Sequence, residues 1–310
     1  MRKYGPLISD IRRSVSGVRV LEGVHMSEHT SFRIGGEAPV MFVPEEPEAL
    51  AELCSALNDR GVRPFITGNG TNLLIEDGDL GFPVVKTVSG NDIARISGDA
   101  EVTAPAGMLL SRLAVFAQQN GLTGLEFAHG IPGTLGGAVS MDAGAYGGEM
   151  KDVVTSTLAF SPERGVYEIR GEEHDFSYRH SVFSDTDSVI LSSAIRLEPG
   201  NASAVKARMD ELAEKRRASQ PLDMPSAGST FKRPKGGYAA AMIDGAGLKG
   251  CSVGGAQVST KHAGFIVNTG GATFDDVIRL IEIVQERVLR EYGAELEPEV
   301  KIIRRSWGAD

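Results

Sequence analysis

Two glycine-rich loops constrain what this chain can fold into more than any other feature. The first, GNGTNL at residues 68–73, follows the short apolar run 64–66, which predicts a strand. The second, GIPGTLGG at residues 130–137, leads into the apolar run 138–141, for which we also predict a strand. Glycine permits positive φ and close approach of the backbone, so successive N–H groups can form a concave nest for a pyrophosphate. Either loop alone fits ordinary turns equally well, but the pair favours a large two-part cofactor such as FAD.

Neither loop carries the fingerprint of the common nucleotide-binding folds. Neither loop contains the pattern GxGxxG, and the chain has no GxxxxGK[ST], which argues against the ordinary Rossmann fingerprint at these loops and against a P-loop. The residues predicted to bind the cofactor are Thr67, Gly68, Asn69, Gly70, Thr71, Asn72, Leu73, Gly130, Ile131, Pro132, Gly133, Thr134 and Gly137.

Charge and cysteine content exclude several classes of protein. The net charge of −9 argues against a nucleic-acid or membrane-surface partner. Two cysteines without a CxxC spacing, Cys54 and Cys251, argue against a disulfide framework or a metal site. No apolar run approaches the roughly 18 residues that a membrane span needs. We therefore expect a soluble cytoplasmic protein with no bound metal and no membrane insertion.

Helix and strand patterns alternate along the chain without a long βαβ run. Helices are predicted over 8–15, 47–60, 109–120, 201–218 and 238–244, and a further helix begins at the capping box of Thr273 and Asp276 and ends at Gly293. A final strand is predicted over 300–304. This alternation is typical of an α+β protein built from small domains.

Several further segments, in order along the chain, resemble the UDP-N-acetylenolpyruvoylglucosamine reductase (UDP-N-acetylmuramate dehydrogenase) family. Besides the two glycine loops they are TSFRIGG (30–36), DAGAYGGE (142–149), YRHSVF (178–183), AGSTF (227–231), KHAGFIVN (261–268) and LEPEVK (296–301). Together they extend over nearly the whole chain. One departure is Asp142, where the family usually has asparagine.

The resemblance implies a fold. Two N-terminal subdomains share FAD in the manner of flavoproteins of the vanillyl-alcohol-oxidase/p-cresol-methylhydroxylase type, and a C-terminal α+β domain binds substrate. We expect the subdomains at 1–85 and 86–198 and the substrate domain at 199–300, with 301–310 a candidate to return to the first subdomain. Besides the strand predicted over 189–197, only a charged helix and a short linker separate Arg179 from Ser229, which indicates the short-loop (type II) subtype.

The resemblance also implies an activity. NADPH, through non-covalently bound FAD, reduces UDP-N-acetylglucosamine enolpyruvate to UDP-N-acetylmuramate in the synthesis of peptidoglycan precursors. Such a reduction needs hydride at one carbon, a proton at the next, and stabilisation of an enolate-like charge. The family pattern assigns these roles to Arg179 as carboxylate clamp, Ser229 as proton donor and Glu299 as the carboxyl group that shares a proton with the substrate carboxylate.

Read from the residues alone, each of these assignments has an alternative. Arg179 could form a structural salt bridge, and Ser229 could be an ordinary turn residue. Glu297 lies two positions before Glu299 and would share its face on a strand, so the two cannot be separated. If Ser229 is the donor, it needs a neighbour such as Lys232, Arg233 or a water to resupply its proton.

Weaker indications concern substrate contacts and rival functions. Tyr146, Arg233, Lys261 and His262 are candidates to hold the nucleotide sugar, although each could be structural. The rivals are an oxidase of the same FAD fold, a serine hydrolase and a non-catalytic nucleotide-sugar-binding flavoprotein. Oxidases often bind FAD covalently, and His129 abuts the second loop; no GxSxG surrounds Ser229, which disfavours a hydrolase.

Overall fold

A computed structural model describes residues 4–87, 93–184 and 186–308. The chain forms two compact units. Unit 1 comprises Met1–Glu22, Val40–Asn69 and Pro83–Lys215, and unit 2 comprises Gly23–Pro39, Gly70–Phe82 and Arg216–Asp310. Both units therefore contain discontinuous segments of the chain.

The described residues contain both helices and short strands. The helices are α1 Gly5–Ser14, α2 Pro47–Asn58, α3 Leu110–Gln119, α4 Leu135–Ser140, α5 Ala202–Ser219, α6 Ala239–Gly245 and α7 Phe274–Tyr292. The strands are β1 Val18–His25, β2 Glu37–Pro44, β3 Phe65–Thr67, β4 Leu73–Ile75, β5 Val84–Lys86, β6 Arg95–Ser97, β7 Glu101–Pro105, β8 Leu122–Thr123, β9 Gly144–Ala145, β10 Gly148–Glu149, β11 Val154–Ser161, β12 Gly165–Arg170, β13 Val189–Arg196, β14 Glu198–Pro199, β15 Ser226–Ser229, β16 Ser252–Val253, β17 Ala256–Val258, β18 Phe265–Asn268 and β19 Lys301–Ile303.

Unit 1 is organised around two sheets. One has the strand order β1-β2-β5-β3, and β5 runs parallel to both β2 and β3. The other has the order β12-β11-β13-β7-β6 and is antiparallel throughout. Helices α1 and α2 share a core with the first sheet, and α3 and α4 share one with the second. The first glycine loop begins where β3 ends.

Unit 2 packs α6 and α7 with an antiparallel sheet of order β15-β18-β17-β16. Strand β19 pairs in parallel with β4, so the end of the chain returns to the strand that follows the first glycine loop. The core joins apolar residues from distant parts of the sequence, including Phe32, Leu74 and Val284.

Helix α7 shows how local signals fix an element. Thr273 Oγ1 accepts a hydrogen bond from the amide of Asp276, and the Asp276 carboxylate accepts one from the amide of Thr273. This reciprocal pair satisfies amide groups at the start of the helix that have no partner within it. Gly293 then ends the helix with a φ of 63°. The predicted helix over this stretch is confirmed.

The strand predicted over 138–141 is wrong, because α4 covers Leu135–Ser140. Thr134 caps this helix through its Oγ1, which accepts the amide of Gly137 at 3.3 Å. A Cβ on Gly136 would lie 2.8 Å from Ala106 Cβ, so glycine lets the helix pack closely against the segment after β7. Periodicity cannot distinguish a strand from a buried helix in so short an apolar run.

The α+β fold class is confirmed by the mixed helices and antiparallel sheets, while the three proposed domain boundaries stay predictions. Within the described part of the chain, no helix is long and apolar enough to cross a membrane. The same residues contain no cluster of His, Cys, Asp and Glu suited to a metal ion.

Candidate functional site

The two glycine loops contact each other within unit 1. Asn69 Nδ2 donates to the carbonyl oxygen of Pro132 at 2.9 Å. A Cβ on Gly68 would lie 2.4 Å from Thr134 Oγ1, so only glycine allows this approach. Two sequence motifs that lie far apart in the chain therefore contribute to one surface.

The turn at Gly70 also requires glycine. Its φ is 64°, and a Cβ there would lie 2.1 Å from the carbonyl oxygen of His29. The carbonyl of Gly70 accepts the amide of Ser31 at 3.1 Å. The TSFRIGG segment thus packs directly against the second half of the first loop, within unit 2.

Some amides of the second loop are already used inside the protein. The amide of Ile131 donates to the carbonyl of Ala128 at 3.0 Å, and that of Gly137 donates to Thr134 Oγ1. These two amides are poorly placed to donate to a ligand as well. Gly133, which lies between them, is the better candidate for an anion contact.

Arg179 lies at the tip of a tight hairpin in unit 1. Ser177 and His180 exchange main-chain hydrogen bonds of 3.1 and 2.9 Å across the turn, and Arg179 has a φ of 58°. Its Nη1 lies 3.4 Å from the carbonyl oxygen of Asp142, and its Nη2 lies 3.5 Å from that of Gly144. These contacts place the guanidinium next to the segment that follows the second glycine loop and α4.

Tyr146 lies at the tip of a second hairpin, formed by β9 and β10. Ala145 pairs with Gly148, and the two residues between them, Tyr146 and Gly147, have φ values of 54° and 91°. Positive φ at both central positions is the pattern of a type I′ turn, where tyrosine is unusual. The turn leaves Tyr146 42% exposed.

Asp142 is a buried acid beside these hairpins. It is 1% exposed, and its Oδ1 accepts the amide of Lys151 at 2.9 Å. Its Oδ2 is buried and has no hydrogen-bond partner among the described residues. Burial raises the pKa of Asp142, and the negative charges of Glu149 and Asp152 add to the increase.

Ser229 and Glu299 are close neighbours along two paired segments of unit 2. Ser229 ends β15, opposite Phe265 of β18. The next residue, Thr230, accepts the amide of Glu299 with its carbonyl oxygen at 2.8 Å. The structure therefore brings together two residues that are far apart in sequence and that the family resemblance joins in one reaction.

The structure also separates the two glutamates that the sequence could not. The Glu297 side chain is 70% exposed and accepts a hydrogen bond from Lys232 Nζ at 2.6 Å. Glu299 is partly buried. The Lys232 ammonium group is thus engaged by Glu297. The guanidinium of Arg233 lies 4.6 Å from the centroid of the Tyr238 ring, a cation–π contact.

Two predicted substrate residues make contacts inside the protein. Lys261 Nζ donates to the carbonyl oxygen of Arg217 near the end of α5, at 2.6 Å. His262 Nδ1 accepts the amide of Gly264 at 3.2 Å, and burial lowers the pKa of this imidazole. Both contacts are consistent with a structural role, so the assignment of Lys261 and His262 to substrate stays a prediction.

Comparison with known proteins shows which protein family the chain resembles. Residues 38–169 match the FAD binding domain family, and residues 220–303 match the UDP-N-acetylenolpyruvoylglucosamine reductase, C-terminal domain. A UDP-N-acetylenolpyruvoylglucosamine reductase from Caldanaerobacter subterraneus subsp. tengcongensis is 48% identical over 278 residues, which are 90% of this chain and 91% of the relative. The chain belongs to the UDP-N-acetylenolpyruvoylglucosamine reductase family.

Other members of the reductase family agree with this placement. The reductase from Clostridioides difficile is 43% identical over 278 residues, 90% of this chain and 91% of its own. The crystal structure of the reductase from Thermus caldophilus superimposes with a TM-score of 0.77 at 32% identity, covering 92% of this chain and 99% of that one. The predicted family is confirmed, as are an FAD-binding region followed by the family's C-terminal domain and an oxidoreductase function.

The predicted site residues of this reductase divide between the two units. Arg179, Tyr146 and the second glycine loop lie in unit 1, and Ser229 and Glu299 lie in unit 2. The first loop crosses the boundary after Asn69. The individual roles of these residues, and the meeting of Arg179 with the other two, stay predictions.

Sequence reasoning missed one buried residue that supports the Arg179 hairpin of the reductase. His174 is fully buried, with Nδ1 2.9 Å from the carbonyl oxygen of Gly171 and Nε2 2.9 Å from Thr157 Oγ1. Its ring stacks on Phe176, three residues before Arg179. Burial lowers the pKa of His174, which favours the neutral form. A lone histidine gives no signal in sequence that could have revealed this role.

Proposed function

We propose that this chain reduces the enolpyruvyl ether of UDP-N-acetylglucosamine to UDP-N-acetylmuramate, using FAD and NADPH, in peptidoglycan precursor synthesis. The main support is the family membership of nearly the whole chain together with the contact between its two glycine loops. We further propose a cytoplasmic location, the short-loop subtype and the division into subdomains 1–85 and 86–198 and a substrate domain 199–300.

The glycine loops fit a flavin dinucleotide. At Gly68 a Cβ would collide with Thr134, so the backbone is bare where the two loops approach each other, and at Gly70 a Cβ would collide with the carbonyl of His29. Bare backbone amides suit an extended pyrophosphate. When bound there, FAD supplies the transfer of hydride from NADPH to the substrate.

Arg179 acts in this proposal on the substrate carboxylate. A guanidinium offers a planar pair of N–H donors, which matches the oxygen pair of a carboxylate. The contacts to the Asp142 and Gly144 carbonyls are long, 3.4 and 3.5 Å, and so are weaker than optimal hydrogen bonds. These two contacts hold the guanidinium near the segment that follows α4.

Ser229 and Glu299 act on protons. Ser229 Oγ donates a proton to the carbon that bears the ether oxygen, and Glu299 shares a proton with the substrate carboxylate. Serine is a weak acid, so a neighbour must stabilise the alkoxide or return the proton. The candidates for that task are Arg233, a water and Lys232, which forms an exposed ion pair with Glu297. We also retain Tyr146, Lys261 and His262 as candidate contacts to the nucleotide sugar.

Anaerobic stopped-flow spectroscopy tests the function. NADPH should bleach the bound flavin, and UDP-N-acetylglucosamine enolpyruvate should restore its absorbance. Flavin that NADPH does not bleach, or that the enolpyruvyl substrate does not reoxidise, would exclude the proposed reaction and favour the alternative of an oxidase of the same fold or a binding protein.

Ser229→Ala tests the proton donor. Bleaching by NADPH should be unchanged, whereas reoxidation by substrate should slow by about 100-fold or more, the usual contribution of a general acid. Ser226→Ala, at the other end of β15, is the matched control and should reoxidise at the wild-type rate. Equal reoxidation rates in the two variants would remove Ser229 from the mechanism.

A further inference from the structure

Asn72 of the first glycine loop makes a contact that cofactor binding does not explain. Its Nδ2 donates to the main-chain carbonyl oxygen of Glu299 at 3.0 Å, across a sequence separation of 227 residues. A carbonyl oxygen can only accept, so the amide nitrogen of Asn72 must face it. The contact is partly buried, where a hydrogen bond is less weakened by competing water.

The main chain of Asn72 is fixed to the same segment. Its carbonyl oxygen accepts the amide of Lys301 at 3.0 Å, and from there β4 and β19 pair in parallel, Leu73 opposite Lys301. Asn72 therefore binds on both sides of residue 300, with its side chain to Glu299 and its backbone to Lys301.

Glu299 is held from its other side by the segment that carries Ser229. The amide of Glu299 donates to the carbonyl of Thr230 at 2.8 Å, while its own carbonyl accepts from Asn72. Both polar groups of the Glu299 backbone are thus fixed, one by the residue after Ser229 and one by the glycine loop. Backbone position determines where the carboxyl group can reach.

We infer that Asn72 is a positioning residue for Glu299, which it aligns with the glycine loop through its side-chain amide. This inference rests on the proposed function, because it assigns Asn72 to the step in which Glu299 acts on the substrate. It also separates two residues of identical type in one loop: Asn69 joins the two glycine loops through Pro132, and Asn72 joins the first loop to Glu299.

Asn72→Ala and the matched control Asn69→Ala test this division in the full-length protein saturated with FAD. In Asn72→Ala, reoxidation by substrate should slow at least about 10-fold more than bleaching by NADPH does, since misplacement by about 1 Å can cost up to 100-fold. In Asn69→Ala, FAD should dissociate more readily, and the ratio of the two rates should stay at its wild-type value.

A double-mutant cycle with Glu299→Gln shows whether Asn72 acts through Glu299. Residues that act as one unit have non-additive effects. In the Glu299→Gln background, Asn72→Ala should slow reoxidation by less than about 2-fold further. The inference would be overturned if the effects of Asn72→Ala and Glu299→Gln on reoxidation multiplied. It would also be overturned if Asn72→Ala slowed bleaching and reoxidation equally.

The same measurements distinguish failure of the proposed function from failure of the role assigned to Asn72. If substrate fails to reoxidise the wild-type flavin, the proposed function fails; if it succeeds and Asn72→Ala matches wild type, only the role of Asn72 fails. Should Asn72→Ala retain no FAD, Asn72→Ser is measured instead. Loss of FAD from both variants would assign Asn72 to the cofactor site and overturn the inference.

Discussion

Three non-glycine residues beside the second glycine loop have a left-handed backbone: Asp142, Tyr146 and Arg179, with φ of 41°, 54° and 58°. For residues with a Cβ this conformation costs roughly 1–2 kcal/mol each. Strained backbone of this kind concentrates at functional sites, where surrounding structure holds it in place. The strain here falls on the predicted clamp, on a predicted substrate residue and on the residue whose carbonyl contacts the clamp.

Asp142→Asn should stabilise the protein at neutral pH. Because the folded pKa of Asp142 is raised, folding favours the protonated acid, and the stability it contributes is lost as pH rises through that pKa. An amide in its place does not ionise. We expect the free energy of unfolding of the variant to exceed wild type by about 1 kcal/mol at pH 7.

The pH dependence distinguishes this cause from a general effect of the substitution. The gain should shrink as pH falls through the ordinary aspartate pKa of about 3.9 and be nearly absent at about pH 3, where the carboxyl is mostly protonated in both the folded and unfolded states. The exposed Asp223 provides the control: Asp223→Asn should show no comparable gain in denaturant unfolding at either pH. An equal gain in the free energy of unfolding of Asp142→Asn at pH 3 and pH 7 would show that the raised pKa of Asp142 is not the cause.

Short polar sequences define the ends of individual elements. The capping box of α7 was recognisable because its two partners, Thr273 and Asp276, lie three residues apart. The strand predicted over 138–141 is wrong because Thr134, the cap of α4, lies inside a glycine-rich motif whose residues also fit a cofactor loop. The same residues serve both as loop and as helix start.

Removing the N-terminal cap of α7 tests how much the cap contributes to the free energy of unfolding. Thr273→Ala should lower the free energy of unfolding by about 1 kcal/mol, because the amide of Asp276 loses its acceptor. Thr273→Ser keeps the hydroxyl and should stay close to wild type. Urea denaturation of the two variants measures the difference; equal stabilities would show that the cap contributes nothing.

At the scale of the whole molecule, unit 2 is assembled from three separate stretches of chain. Its polar contacts join these stretches: Asn268 Nδ2 donates to the carbonyl of Phe32 at 3.1 Å, and Asp77 accepts the amide of Phe274 at 2.7 Å. Strand β19, in the third stretch, pairs with β4, which lies in the second. Unit 2 is therefore incomplete without residues from the first third of the sequence.

A fragment of residues 216–310 should consequently fail to fold. It lacks Phe32, Ile34 and Leu74, all buried in its core, as well as the partner of β19. We expect circular dichroism to show no cooperative thermal transition for the fragment, in contrast to the full-length protein. A cooperative transition in the fragment alone would contradict the discontinuous core.

The sequence by itself determined the α+β class, the family, the glycine loops and the capped helix α7, because these depend on residues close together in the chain or on motifs in a recognisable order. The tertiary structure decided between alternatives that local sequence patterns do not distinguish. It placed residues 138–140 in helix α4, where the amide of Gly136 donates to the carbonyl of Ala106, paired Glu297 with Lys232 and left Glu299 partly buried, and brought the side chain of Asn72 to the carbonyl of Glu299. Each of these outcomes depends on a contact made far away along the chain, and the energy of such a contact appears only once the chain has folded.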